Sequence, residues 1–465
     1  MHDPLDDVGT GLTPNPMFVY DEAVTELILE YCRHRLALDP VPLDFGGATS
    51  QSLDEALHGL VTDEGRSADE VLELFRTRLA KGVVSCDSPR FLSFIPAAPT
   101  KAALLFDMVV SCSSLQGTSW LEAAGAVAAE NQALRVLADL AGLPADAGGC
   151  FVSGGTIANL SALVVARDTA RARRGLRGPV RVAVSTESHS SIERALSIME
   201  AEALLVPTDD HHMTGAALHK ALEVEPDVSD VVAVVATAGT TNAGIVEDLA
   251  GVAEVAAERN LWFHVDAAYG GAALFAPSAR WRFAGIESAD SVVIDPHKWL
   301  FAPFDCAGLL YREPALAKAV HSQQAAYLDV IHADDMPEAW NPSDYAVHLT
   351  RRARGLPLWF SLAVHGTGAY RRAVEAVLEI TRLAADVVDK APHLELVRRP
   401  ELSVLLVRRP GWESRDYHDW SRRLLAEQTA FVTPSTWEGG TVARLAFLHP
   451  HTSLAMVEEI VASMA

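Results

Sequence analysis

Between Cys150 and Tyr311 the sequence alternates short apolar runs with stretches of helical periodicity, and no other feature restricts the possible folds as strongly. The runs are Cys150–Ser153, Val180–Ser185, Ala203–Pro207, Val231–Thr237, Leu261–Asp266, Ser291–Asp295 and Cys306–Tyr311. Helical segments fit between most of them, at Ile157–Arg173, Ser190–Glu200, Thr214–Glu223 and Leu249–Arg259. A strand that is apolar on both faces must be covered on both, and crossover helices on a parallel sheet do this. The pattern predicts an α/β domain with a mostly parallel sheet covered by helices. Ligands of such sheets sit at the carboxyl ends of the strands, where loops meet helix N-termini.

The flanking sequence reads differently. Asp21–Leu38 is an amphipathic helix broken by Pro40-Val-Pro42, and Ser67–Lys81 is a second helical stretch with Ser67 and Glu70 in capping-box spacing. Neither has a large partner nearby in sequence, so each must bury its apolar face elsewhere, and a second subunit is the expected cover. Trp120–Leu143 is a long helix ended by Gly142-Leu-Pro144. Gly355–Lys390 is helical, and beyond it Leu394–Val397, Ser403–Arg408 and Val442–Leu448 frame a helix around Asp416–Glu427. The expected organisation is a helical N-terminal arm over 1–98, a large domain over 99–352 and a small α+β C-terminal domain over 353–465. His321–Tyr345 is a polar, weakly periodic loop, and loops of that length inside a domain are usually functional or disordered.

Charge and cysteine usage remove several function classes. The chain has 38 basic and 61 acidic residues, a formal charge of −23, so nucleic-acid phosphates and anionic lipid repel it. Neither nucleic acid nor membrane is an expected partner, and the protein should be soluble. Met1–Gly11 lacks the basic and apolar regions of a secretory leader, and apolar runs such as Val231–Ala236 are too short to span a bilayer. Cys32, Cys86, Cys112, Cys150 and Cys306 are scattered, which fits a reducing cytoplasm and neither a disulfide scaffold nor a zinc knuckle. His211, His212 and His219 lie in an acidic, turn-rich stretch and read as solvated surface, so no metal is expected. The phosphate-binding loop of nucleotide hydrolases, the dinucleotide fingerprint, the zinc-protease pair and the serine-hydrolase elbow are all missing.

Four short segments carry the chemistry. Ser153-Gly-Gly-Thr-Ile-Ala-Asn159 follows a strand and opens a helix, whose free N–H groups and about half a positive charge suit a phosphate monoester. Asp266 ends an apolar strand in Trp262-Phe-His-Val-Asp266-Ala-Ala-Tyr-Gly-Gly271, where a carboxylate is costly unless it faces a cation. Lys298, in Asp295-Pro-His-Lys298-Trp299, follows 32 residues later, among apolar neighbours that can lower its pKa and make its amine nucleophilic. His189 sits between a strand and a helix in Thr186-Glu-Ser-His189-Ser-Ser191. A phosphate cradle, a strand-end Asp, a later Lys and a flat His together describe a pyridoxal phosphate site.

These motifs, from about Pro89 to Arg354, closely resemble the group II pyridoxal-phosphate decarboxylases, which include aromatic L-amino acid and glutamate decarboxylases. The resemblance implies the fold-type-I, aminotransferase-like architecture, pyridoxal 5'-phosphate as cofactor, and a homodimer with active sites shared between subunits. It implies that Lys298 is the Schiff-base lysine, that Asp266 pairs with the pyridinium nitrogen and that His189 stacks over the ring. Gly155, Thr156 and His297 match positions around the phosphate and the lysine, and Thr240 and Ala268 match residues packed near the ring.

On the substrate side, Ser88-Pro-Arg-Phe-Leu-Ser-Phe94-Ile-Pro96 resembles the family's substrate loop, which places Phe94 and Pro96 in the pocket. Phe94 stands where animal aromatic decarboxylases typically carry Tyr, Thr118 replaces an aromatic residue, and Gln116 replaces an aliphatic one. The pocket should therefore be more polar than theirs. The family's mobile loop delivers a tyrosine that protonates Cα; Tyr345 is the first candidate and Tyr327 the reserve. The expected reaction is decarboxylation of an L-amino acid, with a lean to an aromatic side chain, to carbon dioxide and a primary amine. Its alternatives are an oxygen-dependent aldehyde synthase on the same scaffold and a decarboxylase of acidic or diamino acids.

Overall fold

The computed structural model describes residues 15–44, 47–95, 98–323, 325, 328, 331 and 340–465. Its contacts divide into two compact units, one ending at Val84 and one spanning Ser85–Ala465.

The first unit carries helices α1 (Glu22–Ala37), α2 (Ser50–Leu57) and α3 (Ala68–Leu74). Each begins at a side-chain cap: Asp21 accepts from the Val24 N–H, and Thr49 and Ser67 form capping boxes with Ser52 and Glu70. None of the three helices has a buried residue, and Val24, Ile28 and Val71 remain exposed.

The second unit opens with α4 (Lys101–Cys112) and α5 (Trp120–Leu140). Strands and helices then alternate: β1 (Gly148–Val152), α6 (Gly155–Arg174), β2 (Arg181–Ser185), α7 (Ser190–Ile198), β3 (Glu202–Val206), α8 (Gly215–Val224), β4 (Val231–Thr237), α9 (Leu249–Arg259), β5 (Trp262–Asp266), α10 (Pro277–Arg280), β6 (Ser291–Ile294) and β7 (Ala307–Tyr311). The chain continues through α11 (Pro314–His321), α12 (Leu356–Lys390), β8 (Glu395–Leu396), β9 (Val404–Arg408), α13 (Ser414–Ala426), β10 (Pro434–Trp437), β11 (Gly440–Ala446) and α14 (Leu454–Ala462).

The first seven strands form one sheet in the order β1-β7-β6-β5-β4-β2-β3. Only β7 runs against its neighbours, β1 and β6; the pairs β6–β5, β5–β4, β4–β2 and β2–β3 are parallel. All seven strands expected from the sequence are present within two residues of their predicted ends. β4 and β5 are buried along their whole length. Side-chain alternation splits their residues between two cores: Val235 and Trp262 pack with α6 and α7, and Val234, Phe263 and Val265 pack with α5, α9 and α12. The second sheet is antiparallel, β10-β11-β9-β8, and its strands share a core with the large sheet. The sequence showed β8, β9 and β11 but not β10, whose Pro-Ser-Thr opening has no apolar alternation.

A buried ion pair ties α5 to the segment before α12. Arg351 donates to both carboxylate oxygens of Glu130 at 2.7 and 2.8 Å and to the Gly117 carbonyl at 2.6 Å. Glu130 also accepts the Gly355 N–H at 2.7 Å. Removing one member leaves a buried charge unpaired, so Glu130→Ala should cost about 3–5 kcal/mol, measured as a shift in urea unfolding. A loss below about 1 kcal/mol would match a solvated pair instead.

Candidate active site

The carboxyl ends of β1, β2, β4, β5 and β6 meet at one edge of the large sheet. They enclose a cavity of about 340 Å³ lined by Gly154–Thr156, His189, Asp266, Asp295 and Lys298, among others. This is the low end of the range for small-molecule sites, roughly 300–1,000 Å³. A larger hollow of about 920 Å³ near the C-termini of α6 and α9, beside Arg173, Arg174 and Asp290, contains none of these groups.

Each wall follows from local sequence. Gly154 caps α6 with no side chain, so the helix presents its first turn to the cavity. A Cβ on Gly155 would lie 2.9 Å from the Asp295 carboxylate, so the backbone comes close there only because the residue is glycine. Gly239, at φ +113°, fills the turn after β4, where a Cβ would lie 2.9 Å from the backbone of Gly270.

Lys298 Nζ lies 3.0 Å from Asp295 Oδ2, which also accepts the Gly155 N–H at 3.2 Å. Asp295 Oδ1 and Thr237 Oγ1 are buried without a hydrogen-bond partner. His297 Nδ1 accepts the Cys306 N–H at 2.9 Å, and burial lowers its pKa, so the ring is neutral with its proton on Nε2. Asp266 is 5% exposed; its oxygens accept from Asn159 Nδ2 at 2.9 Å and from the Ala268 N–H at 3.1 Å. His189 caps α7, its Nδ1 accepting the Ser191 N–H at 3.2 Å.

A lysine, a buried carboxylate, an uncapped helix start and two unsatisfied polar atoms line one cavity. They fit a phosphorylated heterocycle with a basic ring nitrogen and an aldehyde.

Of the residues singled out in the sequence, Gly155, Thr156, His189, Asp266, Ala268, His297 and Lys298 line the cavity. Thr240 lies behind it, buried, its Oγ1 accepting the Ile245 N–H at 3.1 Å, while Gly239 and Thr241 on either side reach the wall. Phe94 is 62% exposed, beside Phe431 and away from the lining. Gln116 is bonded to Glu122, and buried Thr118 donates to Gln116; neither lines the cavity. Pro96 and Tyr327 lie outside the described residues.

Tyr345 is 4% exposed, stacked on Trp340 at 4.3 Å, and sits in the core with Tyr311 rather than at the cavity. Burial pushes its phenol pKa well up, the opposite of what a proton donor needs. His211 and His212 pair with carboxylates, Glu187 at 2.9 Å and Glu401 at 2.9 Å.

Sequence reasoning assigned no role to Asn159, Ser191, Thr237 or Asp295, all of which line the cavity. Asn159, Ser191 and Asp295 were nevertheless inside the quoted motifs. The overlooked signal was spacing, since Asn159 follows Gly155 by one helical turn.

Residues 51–408 match the family model described as the pyridoxal-dependent decarboxylase conserved domain. The chain is 29% identical over 440 residues to an aromatic-L-amino-acid decarboxylase of Bacillus atrophaeus, covering 92% of this chain and 90% of that one. It is 34% identical over 313 residues to an L-2,4-diaminobutyrate decarboxylase of Rhizobium meliloti, covering 66% and 62%. Its fold matches the crystal structure of Oryza sativa TDC with PLP and tryptamine at a TM-score of 0.88 and 24% identity, covering 97% of this chain and 100% of that one.

Proposed function

The chain belongs to the group II pyridoxal-dependent decarboxylases and is a carboxy-lyase that works with pyridoxal 5'-phosphate, and we propose that it converts an L-amino acid to carbon dioxide and a primary amine. The observation that carries this reading is the convergence of Lys298, Asp266 and His189 on the cavity opened by the uncapped start of α6. When bound, the cofactor supplies a sink for the electron pair left on Cα as carbon dioxide departs.

The chain's own residues do the rest. Lys298 would hold the cofactor's carbonyl carbon, and the first turn of α6, with Gly155 and Thr156, would hold its phosphate. Asp266 would face the ring nitrogen and favour its protonated form, each pKa unit corresponding to about 1.4 kcal/mol. His189 would lie against the ring. An aromatic side chain is the favoured substrate, supported by the Bacillus relative; a diamino acid is the alternative that the Rhizobium relative supports. Incubation with the twenty amino acids and several diamino acids, following carbon dioxide, amine and peroxide, tests both. Amine in proportion to carbon dioxide from an aromatic substrate is the expected result. Peroxide with aldehyde would instead identify the oxidative reaction.

The proton that reaches Cα does not come from Tyr345 in this reading, because its ring would have to leave a core slot against Trp340. Tyr345→Phe should leave the ratio of amine to carbon dioxide unchanged. Tyr327→Phe, the reserve assignment, should lower that ratio, with aldehyde and peroxide appearing under air. The reverse pattern would restore Tyr345 to the role.

The protein acts as a homodimer in this reading. Three N-terminal helices without a buried residue need a cover, and on α4 Leu105 and Val109, one turn apart, are 49% and 47% exposed. Substituting Asp at both should give monomers in analytical ultracentrifugation. An unchanged dimer would place the interface elsewhere.

A further inference from the structure

A chain of buried hydrogen bonds runs from the sheet into the site, and its direction follows from donor and acceptor chemistry. Trp262, His264 and Asp266 alternate along β5 and so share one face of the sheet. The Trp262 indole N–H can only donate, and it donates to Ser291 Oγ at 2.8 Å. Ser291 Oγ lies 2.8 Å from His264 Nδ1, and because Asn159 Oδ1 calls for the neutral ring's proton on Nε2, Ser291 donates to Nδ1. His264 Nε2, 2.9 Å from Asn159 Oδ1, then carries the ring proton and donates it. Asn159 Nδ2 donates in turn to Asp266 Oδ2 at 2.9 Å and to Ser191 Oγ at 3.0 Å.

Ser191 Oγ lies 2.9 Å from His189 Nδ1, which also accepts the Ser191 backbone N–H. At the far end a carboxylate can only accept, which fixes the direction back through Asn159 and His264 to Ser291, and the Trp262 donor is consistent with it. Trp262, Ser291, His264 and Asn159 are all under 8% exposed, and burial lowers the His264 pKa to about 4, which keeps the ring neutral.

We propose that Asn159 and His264 are positioning residues, holding the Asp266 carboxylate as an oriented acceptor at the cavity and leaving Nε2–H as the free donor of His189. The inference rests on Asp266 being the partner of the ring nitrogen. Reversing the Asn159 or His264 link would set two acceptors or two donors against each other among buried groups, so the chain behaves as one unit. An Asp266 carboxylate held in place costs less ordering when the cofactor arrives.

Nitrogen NMR of histidine-labelled full-length protein, with and without cofactor, reads the direction itself. Resonances can be assigned by their loss in His264→Phe and His189→Gln. Both His264 and His189 should carry the proton on Nε2, and a proton on Nδ1 of either neutral ring would overturn the relay.

A double-mutant cycle reads its purpose. Asn159→Leu should weaken binding of pyridoxal 5'-phosphate about tenfold in the wild-type background and leave it unchanged in the Asp266→Asn background. His264→Phe should act in the same direction if the Leu variant folds poorly. Equal weakening in both backgrounds would make Asn159 merely structural, and no weakening in either would remove it from the site. If Asp266→Asn by itself changes neither cofactor affinity nor turnover, the assignment of Asp266 fails, a result distinct from failure of the relay.

Discussion

Replacing Lys298 with alanine is expected to abolish turnover, a loss of several orders of magnitude, while the sheet and its cores stay intact. Lys298 lies on the turn after β6, with its side chain 24% exposed and paired with Asp295. Little packing is therefore at stake. What is lost is the amine that would hold the cofactor where Asp266 and His189 can act on it. The companion measurement needs no substrate. Borohydride treatment of the holoenzyme should leave the cofactor attached to the peptide bearing Lys298. A label found on another lysine would overturn the site as described, because among the described residues no other lysine lines this cavity.

Asp266→Asn should lower kcat by about 10²–10³ with the cofactor still bound. The substitution keeps shape but only one acceptor oxygen, so either Asn159 Nδ2 or the Ala268 N–H loses its acceptor. It removes the negative charge, and an amide cannot stabilise a protonated ring nitrogen in a site this buried. A buried donor that loses its acceptor should cost about 1–3 kcal/mol of stability, which thermal unfolding reads. A fall in activity no larger than the unfolded fraction accounts for would point to a structural carboxylate; activity lost in the folded variant would not. Near-normal turnover in a correctly folded variant would show that the charge does not act on the ring.

The large sheet was legible because its evidence is local. Seven apolar runs, each bounded by turn residues, specify strands without reference to anything distant, and their alternation with helices specifies parallel pairing. Asp266, His189 and Lys298 were legible for the same reason, since each lies at or just beyond the end of a strand that the sequence marks. The helices α2, α4, α10, α11 and α14 were not seen: none exceeds 12 residues, and short helices owe their stability to tertiary packing more than to any pattern of their own.

Contacts between distant segments were another matter. Order along the chain ranked Tyr345 above Tyr327, but it could not show that Trp340 and Tyr311 enclose Tyr345 in the core. Nor could it show that Lys298 pairs with its own neighbour Asp295 instead of Asp266. The alternation Trp262-x-His264-x-Asp266 was readable as one face of a strand, yet the partners of that face, Asn159 and Ser291, come from α6 and β6.

By itself, then, the sequence determined the fold class and the strand ends where chemistry collects, because hydrophobic period and turn residues act within a few positions. The tertiary structure alone decided which side chains reach the cavity, which are enclosed behind it, and in which direction the hydrogen bonds run. Those outcomes depend on competition for buried space and for hydrogen-bond partners among residues more than a hundred positions apart, as with Asn159 and Asp266, and nothing in a local pattern carries that information.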